Sequence, residues 1–324
     1  MISSISIDRF RGFEHLEIAD LQRVNLVGGV NNAGKTAFLE AIYLGLERNG
    51  NRINSLPSLF RPKSGINDDR YYWRWLSFEG DNTETRISLQ ITGVGSYDVL
   101  WVPKNYDRAI QGDAITNHAG WRLIVPSLNP AQTAAWPNVE VFIPAPTLPI
   151  EDAQIYIQAA KKAPEGEERI ESLLREIEPR LKRIRAFPDE QSNQPLIHVG
   201  LTRGEALPAN QLGQGFNRLL RIYSSVLCAN AKIFLIDEIE TGLHHSVLPI
   251  FWKGLAALAR QENVQIFATT HSREAIFDAH RVFSEQQDYD FAYHRLERVN
   301  GGIKVVTYDR GKLSGADARN FEVR

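Results

Sequence analysis

The order of three segments near the start most constrains how this chain can fold. The short apolar run Val24-Asn25-Leu26-Val27 precedes the turn Gly29-Val30-Asn31-Asn32-Ala33-Gly34-Lys35-Thr36, and residues 36–48 then carry helical spacing up to a stop at Gly50. Strand, loop and helix in this order match G-x-x-x-x-G-K-[ST]. Glycines let backbone amides wrap phosphate groups, and the helix start adds positive dipole. Lys35 is expected to offset charge on the β- and γ-phosphates of ATP, and Thr36 to present its hydroxyl to Mg²⁺. Asn31, Asn32, Ala33 and Ala37 complete the expected nucleotide-binding loop. A glycine-rich turn arising by chance is the bland alternative, and the flanking strand and helix argue against it.

A second half of the site is expected where the apolar run 232–236 ends in Asp237-Glu238. Ligands of parallel sheets bind at the carboxyl ends of the strands, so Asp237 would hold Mg²⁺ through water and Glu238 would orient or deprotonate the attacking water. Another buried run, 265–270, ends at His271. Taken alone, two acids after a strand could equally form a helix cap or a surface pair.

The remaining pattern predicts an α/β chain with a central, mostly parallel sheet, an antiparallel β-subdomain and a helical insertion. Alternation in 2–7 and 16–18 predicts a hairpin, and residues 86–102 read as strands about Gly93-Val94-Gly95. Residues 121–125 and 139–143 extend the β-subdomain, set at 71–149. Pro57, Pro62 and Gly65 mark 51–70 as irregular surface chain, and 150–190 reads as the charged, helical insertion. Within it, Lys182-Arg183-Ile184-Arg185 is the candidate for contact with DNA or other nucleic acid; the plain reading is a solvated helix face. Residues 196–199 suggest a strand, 211–227 a loop entering a helix, 247–260 a helix, and 291–306 a hairpin about Asn300-Gly301-Gly302. Residues 1–50 and 196–324 form the expected nucleotide-binding core of a single head.

Lys and Arg number 37 against 39 Asp and Glu, so the formal charge of −2 offers no global attraction for nucleic acid or anionic lipid. The single cysteine, Cys228, excludes disulfides within the chain and is expected as a buried small hydrophobe. With neither a signal peptide nor a membrane span in the sequence, the expected compartment is the cytoplasm.

These motifs resemble ABC-type ATPases of DNA metabolism and phage defence, above all the overcoming-lysogenization-defect ATPases and their chromosome-structuring relatives. The resemblance rests on Phe10-Arg11-Gly12-Phe13, Asn31-Asn32-Ala33-Gly34-Lys35-Thr36 and Leu39-Glu40-Ala41-Ile42. It continues in the signature-like Leu212-Gly213-Gln214-Gly215, in Ile236-Asp237-Glu238-Ile239-Glu240-Thr241-Gly242-Leu243-His244, and in Thr269-Thr270-His271-Ser272. It implies a P-loop head that dimerises face to face, enclosing ATP and Mg²⁺ in two composite sites. Gly213, Gln214 and Gly215 would approach the nucleotide of the partner head, His271 would sense the γ-phosphate, and Arg11 would reach the nucleotide of its own head. The familiar signature has Ser where this chain has Gly213. No glutamine takes the Q-loop position clearly; Gln90 lies in a strand-like run. His244 and His245 lack a third metal ligand at clear spacing. The interval 37–211 is too short for long coiled-coil arms, and 273–324 too short for a fused nuclease, so an effector is expected as a separate chain. The functional expectation is a nucleotide-dependent switch in bacterial anti-phage defence, within a homodimer or a larger assembly built from it. The alternatives are a DNA-repair ATPase that binds DNA directly, the nucleotide-binding subunit of a transporter, and an ATP-binding scaffold that seldom turns over.

Overall fold

The computed structural model describes residues 1–60, 73, 75–80, 83–103, 113–118, 121–142, 149–162, 165–189, 193–228, 231–299, 301–319 and 321–323. It opens with β1 (Ile2–Phe10) and β2 (Phe13–Ile18), the expected antiparallel hairpin, with Ile2, Ile5 and Ile7 turned inward. The wholly buried β3 (Val24–Gly28) leads through the glycine-rich loop into α1 (Lys35–Gly45). This helix ends before residue 48 because the buried Glu47 carboxylate collects the next backbone donors. Its Oε1 accepts from Arg48, Asn49 and Gly50, and its Oε2 from Ile53. The chain so turned enters α2 (Asn51–Phe60), which corrects the expectation of irregular chain there: Ile53, Leu56 and Phe60 form a buried helical stripe between polar residues. Residues 61–70 of that stretch lie outside the described residues.

The strands β4 (Thr85–Ile91), β5 (Gly95–Pro103), β6 (Asp113–His118) and β7 (Trp121–Val125) join the opening hairpin in one antiparallel sheet, ordered β2-β1-β4-β5-β7-β6. After the short α3 (Pro130–Ala135), capped by Asn129, comes β8 (Val139–Phe142). The helices α4 (Pro149–Lys162) and α5 (Gly166–Arg175) follow, then β9 (Leu181–Pro188), β10 (Pro195–Leu201) and β11 (Leu207–Pro208) in a small antiparallel sheet. The helical insertion expected over 150–190 is therefore helical only in its first part. Lys182-Arg183-Ile184-Arg185 lies on β9, where Leu181 and Ile184 are buried across a register irregularity at Gly200 and Leu201. Glu171 accepts the Ile184 N–H at 2.8 Å, satisfying a donor on the strand's open edge.

The rest of the chain alternates helix and strand: α6 (Gln214–Cys228), β12 (Ile233–Ile236), α7 (Leu248–Gln261), β13 (Gln265–Thr269), α8 (Arg273–Ser284), β14 (Phe291–Val299), β15 (Gly302–Tyr308) and α9 (Arg310–Ala318). The central sheet runs β15-β14-β3-β13-β12-β8, parallel throughout except at β15. Strand β8 thus belongs to this sheet, where it pairs with β12, and not to the antiparallel layer in which the sequence placed it; Ile143 and the turn residue Asn300 lie outside the described residues. Both faces of the sheet are covered, as parallel sheets require. Leu26, Phe234, Ile266 and Ala268 pack with α6, α7 and α8, whereas Val27, Leu235 and Phe267 pack with α1 and the antiparallel layer. Helix α1 is consequently clamped between two sheets, which holds the loop before it at the carboxyl edge of β3.

Candidate functional site

The glycine-rich loop has the conformation its sequence calls for. Gly29 and Gly34 take φ of 138° and 94°, in the left-handed region, and space is as restrictive as φ. A Cβ at Gly29 would stand 2.4 Å from the backbone oxygen of Leu296 on β14, and one at Gly34 2.9 Å from the ring of Phe13 on β2. Lys35 Nζ donates to the carbonyl oxygens of Gly29 at 2.8 Å and Val30 at 3.2 Å, arching over the loop. Burial lowers the Lys35 pKa from the ordinary lysine value, against the opposing charges of Asp237, Glu240 and Glu238.

Strand β12 ends beside this loop. Thr36 Oγ1 donates to Asp237 Oδ2 at 2.9 Å, and Thr269, the last residue of β13, donates to Asp237 Oδ1. The same Thr269 hydroxyl accepts the backbone N–H of Glu238 at 2.8 Å. Glu238 sits at φ 47°, an unusual backbone for a side chain of its size, and its Oε2 accepts from Thr241 Oγ1 at 3.0 Å. Beyond β13, His271 is exposed; its backbone N–H donates to Glu240 Oε1 at 2.9 Å. From α6, Arg218 donates to the carbonyl oxygens of Asp237 and Glu238, each at 2.9 Å. Burial lowers the Arg218 pKa, while Glu240 and Glu238 pull it back up.

Lys35, Thr36, Asp237, Glu238 and His271 are thus gathered where β3, β12 and β13 end, the neighbouring strands the topology dictates. The oxygens of Thr36 and Asp237, converging before a helix start, are the kind of donor set a hard divalent cation takes, so the residues fit Mg²⁺. Among the other expected site residues, Asn31 and Asn32 are exposed on the loop, while Ala33 and Ala37 are buried beneath it. Gly213 and Gln214 lie exposed at the start of α6, with Gly215 against the backbone of Gly242. Arg11 grips Glu40 of α1 in a two-point pair, Nε–Oε2 at 3.0 Å and Nη2–Oε1 at 3.2 Å, and also donates to the Trp75 carbonyl. It therefore braces the helix behind the loop. Gln90 faces solvent on β4.

Sequence reasoning missed the parts played by Thr269, Thr241, Glu240 and Arg218. Three of these stood inside quoted motifs, and Arg218 one turn into the helix after the signature-like glycines; the partners of Thr269 and Glu240 come from strand register and those of Arg218 from helix packing, which spacing does not reveal, while Thr241 bonds within its own loop. Among the described residues, no helix is long and apolar enough to cross a membrane.

Comparison with known proteins bears on the family and the fold. A family model described as "AAA domain, putative AbiEii toxin, Type IV TA system" matches residues 103–278, and one described as "AAA ATPase domain" matches residues 1–101. An ATP/GTP phosphatase of Helicobacter pylori is 24% identical over 347 residues, covering 90% of each chain. A DNA replication and repair protein RecF of Nitrosococcus oceani is 39% identical over 59 residues, 18% of this chain and 16% of that one. Among solved structures, an SMC head bound to the C-winged helix domain of ScpA superposes with TM-score 0.62 at 12% identity, over 97% of this chain and 99% of that one. The SMC head domain from Thermotoga maritima gives TM-score 0.52 at 12% identity, over 95% and 99%. At such identities the likeness is one of fold.

Proposed function

Because the chain belongs to this AAA-domain family and is an ATPase with an SMC-like head fold, we propose that it works as an Mg-ATP-driven switch whose heads pair around nucleotide and control a separate effector chain in bacterial anti-phage defence. The observation that carries the hydrolytic part is the convergence of Thr36, Asp237 and Glu238 at the loop that ends in Lys35. In this reading the amides of residues 29–36 and the Lys35 ammonium bind the β- and γ-phosphates. A magnesium ion held by Thr36 and Asp237 would neutralise charge on the phosphate oxygens. Glu238 takes the proton of the water that attacks the γ-phosphorus, ADP leaves, and phosphate is released. The family description, with its toxin and toxin–antitoxin terms, supports the defence setting. That an SMC head of this fold carries a bound ScpA domain supports a separate partner.

Glu238→Gln keeps the size of the side chain and removes the base. Steady-state phosphate release should fall at least about 100-fold while ATP stays bound and the heads stay paired. Turnover at the wild-type rate would take Glu238 out of this role.

A second reading, a DNA-repair ATPase that touches DNA itself, is favoured by the local similarity to RecF proteins. The strand that would carry the contact is partly neutralised, since Arg185 pairs with Glu167 at 2.7 Å and only Lys182 and Arg183 of the four residues are exposed. Salt-dependent DNA affinity of the chain alone would select this reading.

A further inference from the structure

The reaction scheme leaves Glu240 without a part, yet its carboxylate is built into the site. It stands where the loop after β12 passes the end of β13, with its side chain 10% exposed. Oε1 accepts the His271 backbone N–H at 2.9 Å and lies 3.2 Å from Nδ1 of the same residue. A carboxylate only accepts, so a neutral imidazole at this distance meets it as Nδ1–H, leaving Nε2 as the bare nitrogen. One oxygen thus holds the backbone of His271 by a hydrogen bond, which fixes the path of the loop, and stands at ion-pair distance from Nδ1 of its half-exposed ring. The other oxygen, Oε2, is buried with no hydrogen-bond partner, and the charge of Glu240 raises the pKa of both Lys35 and Arg218, which places the carboxylate near both cations.

We propose that Glu240 is the positioning residue for His271, holding its imidazole as the Nδ1–H tautomer so that Nε2 accepts a hydrogen bond from the water that attacks the γ-phosphate. The reactive end of this proposal rests on the ATP-hydrolysis reading above; the tautomer does not. Functional imidazoles are commonly oriented in this way, through the ring nitrogen that does not face the chemistry.

The test uses the full chain with ¹⁵N-labelled histidine rings, observed at alkaline pH where imidazole is neutral, with the His271 signal assigned by its loss in His271→Gln. The wild-type protein should show Nδ1 protonated and Nε2 bare. In Glu240→Ala the ring should lose that preference, and kcat should fall roughly ten- to a hundredfold with KM within about threefold of wild type. The proposal is overturned by a wild-type His271 in the Nε2–H form, by a Glu240→Ala protein that keeps the Nδ1–H signal, or by one that keeps wild-type kcat. The wild-type spectrum decides even where the variant does not fold. A wild-type chain that shows the tautomer and turns over no ATP would sink the hydrolysis reading instead.

Discussion

The hydroxyl of Thr269 accepts the backbone N–H of Glu238 and donates to Asp237, so one side chain sets the positions of two acids. Asp237 in turn has both carboxylate oxygens filled by threonine hydroxyls, which keeps it an acceptor aimed at the loop. Glu238 is the more strained of the pair: a left-handed backbone in a non-glycine residue costs on the order of 1 kcal/mol, and functional sites are where such costs are kept. Thr241 restrains the carboxylate that this backbone presents. Replacing it as Thr241→Val removes a hydrogen bond to a charged group and frees Glu238 to rotate. We expect kcat to fall up to about tenfold with KM for ATP little changed. Steady-state kinetics check this, and an unaltered kcat would mean that Glu238 is fixed by its backbone alone. That Lys35, Thr36, Asp237, Glu238 and His271 come together was legible in the sequence because a motif of this kind fixes residue type and spacing together. The parts of Thr269 and Glu240 were not, since each acts on a residue chosen by how β12 and β13 lie side by side, and that of Thr241 was not because its bond to Glu238 depends on the left-handed backbone there.

At the scale of elements, β3 owes its placement to a buried polar link as well as to apolar packing. His294 on β14 reaches Asn25 on β3 through Nε2 at 3.3 Å and Thr307 on β15 through Nδ1 at 3.0 Å, joining three neighbouring strands of the central sheet. The ring is fully buried, and burial lowers its pKa to about 4. The unfolded chain takes up a proton near the ordinary histidine value of about 6.5, the folded chain only near the lower one, so unfolding binds a proton between the two. The contribution of His294 is therefore full above the ordinary value and is lost as pH falls through that window, by roughly 3 kcal/mol at most. His294→Gln should be less stable at neutral pH and show a flatter profile. Urea unfolding from neutral pH down to about pH 4.5 reads the difference, and parallel profiles would assign the acid sensitivity to other groups. Strand-forming alternation made most of the elements readable, as in the hairpins at both ends of the chain. Helix α2 was hidden because its apolar positions, Ile53, Leu56 and Phe60, are spread among Asn, Ser and Pro. The β9 strand was hidden because its two buried residues, Leu181 and Ile184, fall three apart, the spacing of a helix.

For the whole molecule, paired heads require the start of α6 to be free to meet another chain's nucleotide, and two neighbouring glycines there differ in a way that tests this. Gly213 is exposed, and a Cβ built on it meets nothing within 4 Å; Gly215 is pressed against its own chain, where a Cβ would stand 2.5 Å from the backbone oxygen of Gly242. The loop 239–243 carries Glu240 and Thr241, so displacing Gly215 disturbs the site behind it as well as the face in front. Gly213→Ser should leave the fold intact and restore the hydroxyl present in the familiar signature. A hydrogen bond from it to a phosphate would contribute about 1.5–3 kcal/mol, enough to tighten ATP-dependent pairing tenfold or more. Gly215→Ala should keep ATP bound at its own loop and lose the pairing. Sedimentation velocity with Mg-ATP in the Glu238→Gln background separates the outcomes. Pairing that is indifferent to both substitutions would mean that the heads meet through some other face, leaving the start of α6 outside the composite site.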